Sequence, residues 1–101
     1  MSKTIKIERI LCAAVWYDND VEARDHDPCN LKTGYIVTGF RHPDCIYTHY
    51  RLTGEKTKSN HIQGFLTSAN RFVDRKEAGQ IAFGAGQIKD LTDCLVSEDL
   101  Y

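Results

Sequence analysis

The sequence predicts an α+β fold, a small antiparallel sheet packed with two helices, in a single domain over residues 1–101. Three observations carry this. Residues 64–88, GFLTSANRFVDRKEAGQIAFGAGQI, read as strand, tight turn, strand and capped helix. Two upstream runs are rich in β-branched and aromatic residues. A chain of 101 residues suits one core with little surface to spare, so oligomerisation would be an easy way to bury more.

Residues 5–17, IKIERILCAAVWY, are nearly all apolar from Ile10 to Tyr17, as in a strand buried on both faces or at an interface. Period alone leaves a helix open there. Residues 18–33, DNDVEARDHDPCNLKT, are acidic, contain Pro28 and read as a long loop. Residues 34–40, GYIVTGF, form a second strand. Pro43 suits the first turn of a helix over 43–53, where its missing N–H costs nothing. Ile46 and Tyr50 share one face of that helix, with Cys45, His49 and Leu52 beside them. Gly54 stops it.

Residues 55–63 form a polar connector. Residues 64–67 and 71–73 make a hairpin with Ser68, Ala69 and Asn70 near the turn. Asp74 opens a capping box: its carboxylate can accept the N–H near Glu77, and the Glu77 side chain can reach back. Ala78, Ile81, Ala82 and Ala85 follow at helical spacing, and Gly86 ends the helix. Gly79 and Gly84 weaken it by about 1 kcal/mol each relative to Ala. They also create a narrow Ala/Gly surface for close packing. In the tail, Leu100 and Tyr101 can dock, leaving Glu98 and Asp99 free to pair.

Hydrophobic residues make up 42% and charged residues 27%, as in an ordinary globular protein. The net charge of -1 and pI near 6.4 argue against binding polymeric nucleic acid, which demands surplus Lys and Arg. A local basic pocket remains compatible with them. No apolar run is long enough to span a membrane. The first residues do not read as a signal peptide. The expected location is therefore the cytoplasm, with Cys12, Cys29, Cys45 and Cys94 reduced.

Two pairs, His26-x2-Cys29 and His42-x2-Cys45, have metal-ligand character. The plainer reading makes Cys45 a core residue and His26 a solvated one, and no metal is expected. Phosphate-loop, nucleophile-elbow and His-Glu-x-x-His motifs are missing. A Cys45–His49 nucleophile pair is conceivable, although such helix-face neighbours arise freely. The expectation is a non-enzymatic protein without cofactor.

The richer signal lies around the hairpin. Phe65 can stack a base. Arg41, Arg71 and Arg75 can clamp phosphate, helped by a helix N-terminus. His42, Thr67 and Asn70 can add hydrogen bonds. This mixture suits a small anionic nucleotide. The alternative is structural, with Phe65 and Phe72 as core and Arg71 and Arg75 as a solvated face.

The strings Ala13-Ala14, Gly39-Phe40-Arg41-His42, Gly64-Phe65-Leu66-Thr67, Arg71 to Ala78, Ala85 to Ile88 and Ser97 to Tyr101 occur in this order. They resemble a family of small bacteriophage proteins, the first type of Thoeris anti-defence protein. The resemblance is weakest across 18–33 and 52–62. It implies a sponge that holds a cyclic ADP-ribose isomer, or cyclic di- or trinucleotides, intact in the infected host's cytoplasm. It also implies a homodimer or homohexamer with ligand at subunit interfaces. Assembly would use the N-terminal strand or the Ala/Gly helix face. The connector KDLTDC at 89–94 carries no Arg, where the family uses basic residues. The alternative function is an inhibitor that docks the acidic loop 18–33 on a host defence protein.

Overall fold

A computed structural model describes residues 7–55 and 61–101. Within them lie four strands, two α-helices and one 3-10 turn: β1 (Ile10–Glu22), β2 (Thr33–Gly39), α1 (His42–Thr53), β3 (His61–Thr67), β4 (Phe72–Asp74), α2 (Arg75–Gly84) and Ser97–Asp99. The strands form one antiparallel sheet in the order β2-β1-β3-β4. The fold is thus α+β, as expected. The start of the strand predicted over 5–17 and most of the 55–63 connector lie outside the described residues.

β1 is the central strand. Its inward positions Ala13, Val15 and Tyr17 join Phe65, Val73, Cys45, Ala78, Ala82 and Leu95 in one core. α1 packs over β1 and β2, and α2 over β3 and β4. β1 also runs five residues further than the sequence suggested. Residues 18–22 were expected to be loop but continue the strand, with Glu22 opposite Thr33. A register shift after Tyr17 and a left-handed Asp20 (φ 59°) accommodate the polar residues. Thr33 anchors the extension by donating its hydroxyl to Asp18 at 2.8 Å. The true loop covers only 23–32.

α1 begins as Pro43 predicted, and the Asp44 carboxylate accepts the Arg41 N–H at 3.0 Å. Its buried stripe is His42, Cys45 and His49, whereas Tyr50 and Leu52 are exposed. Gly54 ends it at φ 72°, its N–H reaching the Tyr50 carbonyl at 2.7 Å. The β3–β4 hairpin starts earlier than expected, at His61, and turns through a left-handed Asn70. Gly64 is required there: a Cβ would lie 2.2 Å from the Val73 carbonyl and 2.7 Å from the Phe72 ring.

Half of the predicted capping box forms. Asp74 accepts the Glu77 N–H at 2.8 Å, but the Glu77 carboxylate turns to Arg71 at 2.9 Å. The Ala/Gly face of α2 is filled from within the chain, since a Cβ on Gly79 would stand 2.0 Å from the Thr92 carbonyl. β1 is likewise paired on both sides. The edges of β1 and the Gly79 side of α2 are thus occupied from within the chain, while Gly84 and Leu11 remain exposed.

Candidate functional site

The seven residues singled out from the sequence separate into three settings. Phe65 is fully buried, and its ring meets His42 edge-on at 4.9 Å between centroids. It has no face left to stack a base. Alternation explains this: Phe65 and Thr67 share the inward side of β3, beneath α2.

Thr67, Asn70 and Arg71 form the hairpin group. Thr67 is 1% exposed and donates its hydroxyl to Glu8 at 2.5 Å. Arg71 donates to both oxygens of Glu8, at 2.9 and 3.0 Å, and to Glu77 at 2.9 Å. Two carboxylates thus saturate one guanidinium. Hydrogen bonds from Arg71 and then Thr67 hold the Glu8 carboxyl below its usual range, and Glu8 followed by Glu77 pushes the Arg71 pKa up. Asn70 spends its amide on the Asp27 carbonyl at 3.3 Å. This group staples the N-terminal segment to the hairpin, and a phosphate would have to displace two carboxylates to enter it.

Arg41, His42 and Arg75 form the second group, gathered beneath the C-terminal segment. Arg75 donates to the Leu95 carbonyl at 2.9 Å and to Gln63 at 2.7 Å. His42 is 5% exposed and donates Nε2–H to the Gly64 carbonyl at 2.7 Å. Burial lowers its pKa, against the raising effect of that hydrogen bond. The ring is neutral at pH 7 and serves the core.

Arg41 differs from both other arginines. Its guanidinium carbon lies 4.9 Å from the Phe40 ring centroid and 5.5 Å from that of Tyr101. The two rings are 4.5 Å apart and tilted by 32°. Phe40 is 61% exposed and Tyr101 41%, so apolar ring surface faces solvent beside the cation. The Tyr101 hydroxyl donates to the Phe40 carbonyl, tying the rings together. Arg41 Nη2 donates to the Tyr101 main-chain oxygen at 2.6 Å. Nη1 sits 3.7 Å from Glu98, within ion-pair range but too far for a hydrogen bond; it is buried and has no hydrogen-bond partner. This crest at the exit of β2 combines exposed aromatic rings with a partly exposed cation.

Phe40, Tyr101, Glu98 and Glu8 were not among the seven. Adjacency of Phe40 and Arg41 at a strand exit was a legible signal for the crest, as was the docking expected of Tyr101. Glu8 lies 63 positions from Arg71, and nothing local marks the pair.

Other chemistry finds less support. Burial pushes the Cys45 thiol up to about 11, so it is protonated and a poor nucleophile. His49 is engaged too: it shares a hydrogen bond with the Tyr35 hydroxyl at 2.7 Å and stacks on Tyr17 at 3.6 Å. His42 and Cys45 are buried while Cys29 is exposed, and among the described residues no group of three His, Cys, Asp or Glu could hold a metal ion. A groove of about 470 Å³ runs along 87–92, but its charged lining is Lys89 against Asp90 and Asp99, a poor match for an anion. No helix among the described residues is long and apolar enough to cross a membrane.

Fold and site together define a small α+β protein whose antiparallel sheet ends in an arginine–aromatic crest. The chain belongs to a bacteriophage family, that of the phage T4 y16D protein, which it matches over residues 9–101. Comparison with curated proteins and with solved structures gives no match.

Proposed function

We propose that the chain is a phage immune-evasion protein that captures a cyclic nucleotide signal and holds it without cleaving it. The observation that carries the reading is the crest: a partly exposed guanidinium packed against two exposed aromatic rings. A nucleotide offers a flat base and an anionic phosphate, and an aromatic ring beside a cation meets both. The stacking assigned to Phe65 from the sequence passes to Phe40 or Tyr101. Arg41 takes the phosphate. A bacteriophage family and the resemblance to the Thoeris anti-defence sponge support a cyclic ADP-ribose isomer or a cyclic oligonucleotide as ligand. Capture needs no general base and no cofactor.

A thermal-shift panel tests this. It comprises cyclic ADP-ribose isomers, cyclic di- and trinucleotides, and linear ADP-ribose. A ligand at a hundred times its dissociation constant adds ~2.7 kcal/mol, which raises the midpoint by several degrees. One cyclic species should shift the midpoint selectively and be recovered intact after denaturation. The double variant Phe40→Ala, Arg41→Met should lose the shift and keep its own melt. A flat panel over a cooperative melt overturns capture and favours the host-protein inhibitor. Recovery of a cleaved ligand overturns the non-enzymatic part.

A further inference from the structure

Two carboxylates meet Arg41, and only one of them is committed to the fold. Asp44 accepts the Arg41 main-chain N–H at 3.0 Å and so caps α1. Glu98 lies 3.7 Å from Nη1, and its side chain is 68% exposed. A pair this long and this exposed adds little to stability. Arg41 does not depend on it, being held by the Tyr101 main-chain oxygen at 2.6 Å and by two rings. From other residues, Glu98 accepts one hydrogen bond, from the Ser97 hydroxyl at 3.3 Å. Its carboxylate therefore keeps acceptor capacity.

The chain nonetheless fixes Glu98 in place. It sits in the Ser97–Asp99 turn, between Ser97, which is buried, and Leu100, which packs against the core. The Asp99 carboxylate closes that turn by accepting the Val96 N–H at 3.1 Å, and the fully buried Leu95 anchors the approach to it. Its own main-chain N–H, and after it Arg41, hold the Glu98 carboxyl below the usual range. Glu98 is thus ionised at pH 7 and only accepts hydrogen bonds. A charge held on a packed turn can select between ligands, as one on a loose tail cannot.

We propose that Glu98 is the specificity-determining residue of the crest: it accepts the ribose hydroxyls of the bound nucleotide and turns away a ribose that carries a further phosphate. The inference rests on the nucleotide reading. With the base on a ring and the phosphate on Arg41, the ribose that joins them is drawn in beside the neighbouring carboxylate. The ring centroids lie 4.9 and 5.5 Å from the guanidinium carbon, so a single nucleotide unit spans the crest. A hydroxyl that donates to an ionised carboxylate makes a strong bond. The same carboxylate repels a second phosphate, and a site gains selectivity from what it repels as well as from what it attracts. The ligand class narrows to nucleotides whose ribose keeps a free hydroxyl beside the phosphate that Arg41 holds.

Titration calorimetry on the full chain tests this with two pairs of probes: cyclic ADP-ribose against its 2′-phosphate, and cyclic di-AMP against its 2′-deoxy analogue. In whichever pair it binds, the wild type should prefer the first member by about tenfold or more, the worth of one hydrogen bond to a charged group. Glu98→Gln removes the charge at an exposed position, so it should keep the wild-type melt and lose the preference against the 2′-phosphate. Glu98→Ala should lose both preferences. Inorganic pyrophosphate, which has no ribose, should bind Glu98→Gln about fivefold more tightly than the wild type, the factor expected of one like charge about 4 Å away in water. Equal affinity within the pairs overturns the role of Glu98 and leaves capture standing. So does a preference that survives undiminished in Glu98→Ala, or pyrophosphate affinity that the Gln variant does not raise. A wild type that binds none of the four nucleotides overturns capture and this role together.

Discussion

The hairpin group and the crest contain the same kinds of side chain and use them for opposite purposes. Each has an aromatic ring and an arginine. At the hairpin, Phe65 is sealed in the core and Arg71 is held by Glu8 and Glu77. At the crest, Phe40 is mostly exposed, and Arg41 meets one main-chain oxygen, two ring faces and a carboxylate 3.7 Å away. What separates them is the counter-charge nearby, and which side of a strand the ring occupies. An arginine saturated by carboxylates stabilises the fold. One held by a single hydrogen bond and a longer ion pair is less fully engaged.

The largest expected contrast concerns the two phenylalanines. Phe65→Ala should cost about 3–5 kcal/mol, because it empties a fully enclosed position between β3 and α2. Phe40→Ala should cost about 1 kcal/mol or less, the loss being its contact with Tyr101. Urea denaturation measures both. Equal costs would mean that Phe40 is as structural as Phe65, and the crest would lose its claim to a ligand.

The arginines come next, with a smaller effect. Arg71→Met should destabilise by about 1–2 kcal/mol, a figure discounted because Arg71 and its carboxylates are all partly exposed. Arg41→Met should change stability by less than that. Any effect on nucleotide affinity should run the other way, large for Arg41 and slight for Arg71. Titration calorimetry beside the denaturation curves reads both quantities. Loss of affinity on replacing Arg71, with Arg41 indifferent, would exchange the roles of the two regions.

Much of this contrast was legible in the sequence. Local chemistry announced α1 through Pro43 and Gly54, and α2 through Asp74. The hairpin was equally plain, and so was the aromatic run that became β2. All of these depend on residues a few positions apart. The inward direction of Phe65 was readable in principle from its period-two relation to Thr67. The polar turn beside it masks that direction in the local pattern. The saturation of Arg71 was out of reach. Its principal partner, Glu8, comes from the far end of the chain and is brought to it by the pairing of β1 with β3. The same limit hid Arg41's surroundings, since Glu98 and Tyr101 lie 57 and 60 residues downstream. Cysteine and histidine spacing pointed to metal, but His42 and Cys45 lie one helical turn apart on the buried face of α1 and serve the core.

The smallest effect, and the one that separates the two regions by chemistry alone, is the pH dependence of stability. Beside the crest, burial depresses the pKa of His42, and burial also depresses that of His49 under α1. The unfolded chain therefore binds more protons than the native one once pH falls below the ordinary histidine value of about 6.5. Stability is full above that value and declines beneath it. At the hairpin, Arg71 holds the Glu8 pKa down. Its contribution is present above the ordinary carboxylate range of about 4.3 and is lost as pH falls through the lower folded value. Melting midpoints from pH 8 to pH 3 should therefore fall in two stages, the histidine stage first. His42→Gln can still donate to the Gly64 carbonyl and should shrink the first stage. Arg71→Met should shrink the second and leave the first alone. A midpoint that rises between pH 7 and pH 6 would mean that the histidines gain stability on protonation, contrary to a neutral His42 in the core beside the crest.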